Sequence, residues 1–532
     1  MLLGLGATLI AAGLLADSVL GHAVSGFGWK QATALVLGAA FMLAGVALAP
    51  LADQEDPRGR TAGLLWLAIG LTGAIVLWTR LAGLNQSLWH DEVFSVVHYI
   101  AAGPTTILSG DYVPNNHVLF NLFGYGTTKV LGESEVTLRL WSVLPAIAAA
   151  ALVVWWTERL RGRWTALVVA VLVATSPIHH DLAREARGYG LTFLAAALML
   201  VFSYRVMTGG GRSSWIFLGL AGVVGAYTAP QFVLGFVGQA IPLLVRPDLR
   251  KRALALLGVV GALLLLLYAP LLSDIARSPE TVGGDPLPWH SPVSGPILHL
   301  VQPSFDLLAD RPTDAYLITP NTPDRILGGL LVLIGALVLW RARERMLCAL
   351  LVVPLLFVYT VLTIARFHVH ERYGSFLLFH TLVLVAIGVV GLVRATPCGV
   401  PRWVAGAVAA AAAAILLINT IDRSDRYQNL PRENFKRVGE IVRARGVTRV
   451  VTDSTRPDGL RYYLGKENVA PVVGSVCSSP QAVFVSHPYR SASYPPLPDL
   501  SCLRVLGAVR VRVPQRGRGG HIDIWFPPSG GG

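Results

Sequence analysis

Charged residues are scarce in this chain of 532 residues, making up 14% of the total. A soluble domain carries about 25% charged residues, and a disordered chain needs still more polarity. Hydrophobic residues make up 53%, and apolar runs of about twenty residues recur up to about residue 420. The strands of a membrane β-barrel are about ten residues long and alternate in polarity, so a barrel is excluded as well. The composition therefore predicts an all-α polytopic membrane protein.

Cysteine is also rare, with four residues and neither a CxxC pair nor a Cys/His spacing typical of a metal site. Cys348 lies in a predicted span, and Cys398 lies in a predicted cytoplasmic loop. Cys477 and Cys502 both lie in a predicted outer domain, where a disulfide can form. We expect this disulfide, with two free thiols as the alternative.

Acidic residues are outnumbered, 31 against 44 Lys and Arg, which gives a net charge of +13. A nucleic-acid-binding protein would gather its basic residues on one soluble face. Here they form short clusters between apolar runs, the pattern that places basic loops on the cytoplasmic side of a membrane. The charge therefore indicates membrane topology. The excess of Arg over Lys and the many Ala and Gly residues are typical of high-GC coding and suggest a bacterial source.

About thirteen apolar runs are long enough to be predicted spans. The first lacks a basic leader and is followed closely by a second run, so we interpret it as a retained helix and not a signal peptide. The runs are 1–20, 31–52, 62–84, 136–156, 164–180, 188–207, 213–228, 230–246, 253–272, 325–340, 346–365, 375–393 and 402–420.

The stretch 117–131 is ambiguous, and the charges decide its interpretation. If it does not span and the N-terminus is cytoplasmic, every dense basic cluster falls on the cytoplasmic side. We therefore expect an amphipathic helix at the outer interface. Five arginines remain on the outer side as exceptions: Arg139, Arg184, Arg187, Arg366 and Arg372.

The odd number of spans places the C-terminus outside, and the composition changes after Thr420. A helix is predicted near 431–445, followed by short β-rich runs at 447–451, 482–485, 509–513 and 521–525. The chain thus divides into a transmembrane domain, 1–420, whose catalytic outer loop is 85–135, and a small extracytoplasmic α/β domain, 421–532, with a disordered PPSGGG tail.

Ionisable residues at membrane depth cost roughly 2.5–3.5 kcal/mol each on insertion scales and are functional candidates by default. Three groups lie on the predicted outer side, within 89–92, 179–189 and 366–373. Carboxylates can act as general bases, and Arg and His can bind a phosphate leaving group. The groups suit transfer from a phospholipid-type donor. For each residue alone, the alternative is interfacial snorkelling or helix capping. The histidines are also potential ligands of a divalent metal, although their spacing matches no specific metal motif.

Four motifs in order carry a family resemblance: SLWHDE, then PNNHVLFNLF with LGESEVTLRLWSVLPA, then SPIHHDLAREARGYGL, and finally HERYGSFLLF. Together they resemble the C-superfamily (GT-C) of membrane glycosyltransferases, in particular the branch of protein O-mannosyltransferases and lipid A aminoarabinose transferase. The resemblance covers about residues 60–395.

The resemblance implies roles for individual residues. Asp91 matches the acidic residue taken as catalytic base, and Glu92 beside it would aid acceptor or metal binding. Asn115, Asn116 and His117 replace a Pro-Pro-Leu motif, so they are expected to bind an acceptor or sugar that differs from the family's usual one. The late motif also lacks the usual proline. The residues implied at the lipid-phosphate pocket are Arg187, Tyr189, His370, Arg372 and Tyr373.

The function implied is an inverting transfer of a sugar from a polyprenyl-phosphate donor to a cell-wall glycan, glycolipid or protein outside the cell membrane. A divalent metal is the one cofactor left open. The alternatives are a lipid-carrier transporter or flippase, and a non-catalytic scaffold. A transporter usually shows internal repeats and mid-depth charges, neither of which the sequence shows.

Overall fold

The computed structural model describes about two thirds of the chain. Three predicted spans (1–20, 31–52 and 402–420), as well as Cys398 and the predicted Cys477–Cys502 disulfide, lie outside the described residues. The side chains of 60–62, 64, 276–277, 322–328, 363, 365 and 371–373 are likewise not described. The described residues are 60–277 except 111 and 114, 322–365, 371–394, 431, 433–452, 457–471, 483–486, 503, 505, 508–515 and 521–527.

Helices dominate this part of the chain. They are α1 Arg60–Leu81, α2 His90–Ser95, α3 Pro104–Ser109, α4 Val118–Leu131, α5 Glu135–Arg161, α6 Arg163–Thr175, α7 Pro177–Ala183, α8 Tyr189–Met207, α9 Arg212–Thr228, α10 Phe232–Val245, α11 Pro247–Tyr268, α12 Leu272–Arg277, α13 Thr322–Arg341, α14 Arg345–Ala365, α15 Leu378–Arg394, α16 Phe435–Ala444 and α17 Asp458–Leu464. Short π and 3₁₀ turns are Val96–Ile100, Ala269–Leu271, Glu371–Leu377 and Lys466–Asn468.

Every predicted span that falls on described residues coincides with a helix. By length and apolar composition, five of the described helices are able to cross a membrane, or six if α6 and α7 form one broken span. The protein is therefore a multi-pass helical membrane protein, as its composition predicts. The total of about thirteen spans stays a prediction.

The break between α6 and α7 redirects the chain by 57°. Ser176 lies at the break, where its hydroxyl accepts a hydrogen bond from the His179 N–H, and Pro177 begins α7. Both residues are typical of a helix start, because Ser caps the first turn and Pro lacks the N–H that would go unpaired there. The break turns one of the three polar groups across the end of the helix bundle.

Helices α5 and α8 pack with their backbones in contact. A Cβ atom at Gly190 would lie 1.8 Å from the Ser142 carbonyl oxygen, so only glycine fits there. Close packing through small residues is a common way for membrane helices to associate. It fixes the start of α8, and the residues just before it, against α5.

The basic loops share the opposite end of the bundle. Arg161, the last residue of α5, forms an ion pair with Glu344, which directly precedes α14. Arg246 Nη1 donates to the Met207 carbonyl oxygen over 2.9 Å, which joins the residue after α10 to the end of α8. The clusters that the charge pattern assigns to one side of the membrane are thus neighbours in the structure.

The ambiguous stretch 117–131 forms α4, a helix of 14 residues. At 1.5 Å per residue it is about 21 Å long, short of the roughly 30 Å hydrocarbon core. Its buried face includes Phe120 and Asn121, while Val130 and Leu131 are exposed. The helix itself is confirmed, and its place at the outer interface stays a prediction.

The described C-terminal residues form a five-stranded sheet in the order β2-β1-β3-β5-β4. Strand β1 runs parallel to β2 and β3, and β5 runs antiparallel to β3 and β4. Helices α16 and α17 cover the sheet through a core that includes Phe435, Val485 and Ile524. The predicted helix and four predicted β-runs are confirmed, but the sequence analysis missed β2, a three-residue strand. The strands are β1 Val450–Thr452, β2 Val469–Pro471, β3 Val483–Ser486, β4 Val509–Pro514 and β5 His521–Phe526.

Candidate active site

Three separate segments meet at one end of the bundle: the start of α2, the loop before α4 and the loop before α8. They supply Asp91, Asn115 and Arg187, which are connected by direct hydrogen bonds. The sequence analysis expected the acidic and basic groups to share a face. The structure brings Asp91 of the acidic group into contact with Arg187 of the basic group.

Asp91 and Arg187 form a buried ion pair. Arg187 Nη1 donates to Asp91 Oδ2 over 2.9 Å, and Nη2 donates to the Asn115 side-chain oxygen over 2.6 Å. The guanidinium carbon lies 5.1 Å from the centre of the Tyr189 ring, within cation–π distance. Asp91 is 8% exposed and Arg187 is 0% exposed. A carboxylate and a cation in contact under low exposure interact strongly, because little water screens them.

Arg187 retains donor capacity in this arrangement. Its Nε atom is buried and has no hydrogen-bond partner among the described residues. A buried N–H without an acceptor is unfavourable, so a ligand oxygen there would be stabilised. The Arg187 backbone is fixed as well, because the Ser142 hydroxyl donates to its carbonyl oxygen.

Glu92 has a different environment from its neighbour. Arg139 grips it with two parallel bonds, Nε to Oε1 at 2.8 Å and Nη2 to Oε2 at 2.7 Å. The N–H groups of Trp89 and Ala186 also donate to this carboxylate, over 3.0 and 2.6 Å. Through these contacts Glu92 joins α2, α5 and the loop before α8. Its implied role in acceptor or metal binding stays a prediction.

Arg139 is a buried residue of this cluster to which the sequence analysis gave no role, although it noted Arg139 as an outer exception. Its Nη1 atom donates to the carbonyl oxygens of Leu84 and Gln86 over 2.7 and 2.9 Å, in addition to holding Glu92. The signal in the sequence was an arginine one turn into an apolar helix, which requires a buried acceptor.

The residues of the Asn-Asn-His motif make different contacts. Asn115 contacts Arg187, whereas Asn116 Nδ2 donates to the Ile107 carbonyl oxygen over 3.0 Å within its own loop. His117 Nδ1 donates to the Thr228 carbonyl oxygen over 3.2 Å, and its ring packs edge-on against Tyr189 at 5.3 Å. The expected acceptor or sugar contact of these three residues stays a prediction.

The late motif lies at the same end of the bundle. Arg372 and Tyr373 belong to the 3₁₀ turn Glu371–Leu377, which packs against α7, α8 and α10. Their side chains, and the whole of His370, lie outside the described part of the chain. Their assignment to a phosphate pocket therefore remains a prediction.

A second polar cluster lies between α1 and α7. Arg80, which the sequence analysis missed, is fully buried and donates to the carbonyl oxygens of Val173 and Ala174 over 2.8 and 2.9 Å. It also contacts His179 Nδ1 at 3.2 Å, and His180 Nδ1 lies 2.8 Å from Asp181 Oδ1. The described residues contain no group of three or more His, Cys, Asp or Glu side chains placed to hold a metal ion.

Comparison with known proteins supports the resemblance. The profile of the family described as dolichyl-phosphate-mannose-protein mannosyltransferase matches residues 118–273. No curated protein sequence matches the chain.

Two solved structures with a similar fold are those of ArnT from Cupriavidus metallidurans, one in the apo state and one bound to undecaprenyl phosphate. Each has 15% sequence identity and a TM-score of 0.50, and the alignment covers 88% of this chain and 98% of ArnT. The chain thus has an ArnT-like, GT-C-type fold, and the resemblance inferred from its motifs is confirmed.

Proposed function

We propose that this protein is a membrane glycosyltransferase that moves a sugar from a polyprenyl-phosphate donor to an acceptor hydroxyl on the extracytoplasmic side, with Asp91 as the general base. The mannosyltransferase profile and the ArnT-like fold support a polyprenyl-phosphate-dependent GT-C enzyme. One of the ArnT structures holds undecaprenyl phosphate, which supports a lipid phosphate as the donor's leaving group. The observation that carries the assignment of Asp91 is its buried ion pair with Arg187.

The proposed reaction is a single displacement. Asp91 takes the proton from the acceptor hydroxyl, whose oxygen attacks the anomeric carbon of the sugar. The bond from that carbon to the phosphate oxygen breaks, and the phosphate leaves with the electron pair. Attack from the side opposite the phosphate inverts the anomeric configuration. The acceptor is a cell-wall glycan, a glycolipid or a protein hydroxyl.

Arg187 connects the two halves of this reaction. A guanidinium binds phosphate through parallel hydrogen bonds, and Arg187 has an Nε donor that no described residue occupies. A phosphate that binds Arg187 competes with Asp91 for its positive charge. Donor binding would therefore prepare the carboxylate to accept a proton. Arg372 and His370 are proposed to bind the same phosphate.

The test is sugar transfer by the purified protein with a panel of polyprenyl-phosphate sugars, measured as release of polyprenyl phosphate. Asp91→Asn keeps an oxygen for Arg187 but removes the base and its competing charge, so it should bind donor at least as well as the unmodified protein and turn over roughly 10²-fold or more slowly. Glu440→Gln, an exposed change on α16, is the control.

Two outcomes oppose this proposal. Near-normal turnover by Asp91→Asn would move the base elsewhere, with Glu92 next in line. Movement of an intact lipid-linked sugar across the membrane of reconstituted vesicles, without release of polyprenyl phosphate, would support the flippase alternative.

A further inference from the structure

The helix that carries Asp91 is too short to be stable alone. Helix α2 has six residues, whereas isolated helices shorter than about 12–15 residues are marginal in water. The backbone N–H groups at its start therefore need partners outside the helix. The partner of the Trp89 N–H is Glu92, within the same turn.

The two neighbouring N–H groups are bound by the C-terminal domain. The Leu88 N–H donates to the Tyr463 hydroxyl oxygen over 2.8 Å, and the His90 N–H donates to Glu433 Oε2 over 2.6 Å. Glu433 is buried, and a carboxylate at the first turn also interacts favourably with the helix dipole. These contacts join residues more than three hundred positions apart in sequence, and they flank Asp91 closely.

Lys436, at the start of α16, contacts the same segment. Its Nζ atom donates to the Asn85 carbonyl oxygen over 3.0 Å, and its N–H donates to the Ser87 hydroxyl over 3.2 Å. Together with the contacts of Glu433 and Tyr463, these bonds hold the chain from Asn85 to His90 on the side that the C-terminal domain covers.

The C-terminal contacts also reach the helix that orients Glu92. The Tyr463 hydroxyl donates to Glu135 Oε1 over 3.3 Å, and Lys436 Nζ lies 3.0 Å from the same oxygen. Glu135 is one helical turn before Arg139, the arginine that grips Glu92. Burial raises the pKa of Tyr463 well above its ordinary value, so its hydroxyl keeps the proton that it donates.

We propose that the C-terminal domain is part of the catalytic apparatus, with Glu433 and Tyr463 as positioning residues that hold α2 so that Asp91 faces Arg187. The catalytic part of this inference rests on the proposed function, because it gives Asp91 its role as base. A domain that merely docks on the membrane domain could do so through side chains alone. Here it binds the backbone N–H groups one and three residues before Asp91.

The experiment compares Tyr463→Phe, Glu433→Ala and Glu433→Gln with the control Glu440→Gln in the full-length protein. Glu440 lies in the same domain and pairs with Arg437 of its own helix. Hydrogen exchange of the peptide 85–95 is measured by mass spectrometry, with the peptide 118–131 as internal reference. Turnover, donor KM and the midpoint of thermal unfolding are measured on the same samples.

We expect exchange of 85–95 to rise about tenfold in Tyr463→Phe and Glu433→Ala, since each variant loses the acceptor for one backbone N–H of this segment. Turnover should fall about tenfold with donor KM and unfolding midpoint nearly unchanged, because donor binding needs Arg187 and not α2. Glu433→Gln retains an acceptor oxygen for the His90 N–H, so it should stay within about threefold of the unmodified protein.

Unchanged exchange in Tyr463→Phe and Glu433→Ala overturns the inference, whatever the activity. A loss of turnover that only matches a loss of folded, donor-binding protein overturns it too, because it indicates simple destabilisation. If the unmodified protein transfers no sugar while exchange of 85–95 still responds to both variants, the proposed function fails and the positioning of α2 stands.

Discussion

At the scale of single residues, adjacent carboxylates have different partners. Asp91 pairs with Arg187, whose Nε atom has no partner among the described residues, whereas Glu92 accepts four hydrogen bonds from the protein. Successive residues of a helix point about 100° apart, so α2 directs one carboxylate to each arginine. The Asp91–Arg187 pair, in which Arg187 can still bind a ligand oxygen, is suited to catalysis. The Glu92–Arg139 pair, whose carboxylate already accepts four hydrogen bonds, is suited to holding the site in place.

Substitution of Arg187 tests the phosphate assignment. Arg187→Lys keeps the charge but loses the planar fork, so it should weaken polyprenyl-phosphate affinity moderately, while Arg187→Ala should weaken it severely. The same order is expected for Arg372. Affinity is measured by titrating the purified variants with polyprenyl phosphate. Unchanged affinity in both alanine variants would contradict the assignment of Arg187 and Arg372 to phosphate binding. The proposed function would then rest on Asp91 alone.

At the scale of elements, the site depends on a close approach of two membrane helices. Gly190 is the second residue of α8, three positions after Arg187, and it lies directly against the Ser142 carbonyl of α5. The Ser142 hydroxyl also contacts the Arg187 backbone. The distance between α5 and α8 therefore sets the position of the guanidinium.

Gly190→Ala should destabilise the protein and disturb donor binding. Inserting a methyl group into a packed contact typically costs about 1–3 kcal/mol, which outweighs the gain in helix propensity of at most about 1 kcal/mol. The measurement is the thermal unfolding midpoint in one detergent, with donor affinity alongside.

Gly258→Ala in α11 is the matched control, because a Cβ atom there meets nothing within 4 Å. It should be neutral or slightly stabilising. Equal midpoints for the two variants would contradict the close approach of α5 and α8.

At the scale of the whole molecule, the two ends of the bundle differ in chemistry. One end gathers basic loops, joined by contacts such as Arg161 to Glu344. The other end holds the carboxylates, the buried arginines and the C-terminal sheet domain. This polarity is what a transferase with cytoplasmic basic loops and an extracytoplasmic site requires.

Cysteine labelling tests that orientation. In a variant whose four native cysteines are replaced by serine, Arg343→Cys should react only with membrane-permeant maleimides, since it lies among the basic loops. Arg437→Cys, on an exposed part of α16, should react with impermeant reagents added to intact cells. Impermeant labelling at both positions would contradict the predicted topology.

The sequence by itself determined the membrane class, the helices that coincide with apolar runs, the α/β character of the C-terminal domain, and the acidic and basic segments of the site. These follow from local hydropathy and periodicity, which each stretch of chain carries alone.

Only the tertiary structure decided that Arg187 contacts Asp91, that Arg139 takes Glu92, and that Glu433 and Tyr463 bind the start of α2. Each of these contacts joins elements distant in sequence. Its partner depends on how helices and domains pack against one another and on which face each short helix turns inward. That packing is a property of the folded chain as a whole, so no single segment specifies it.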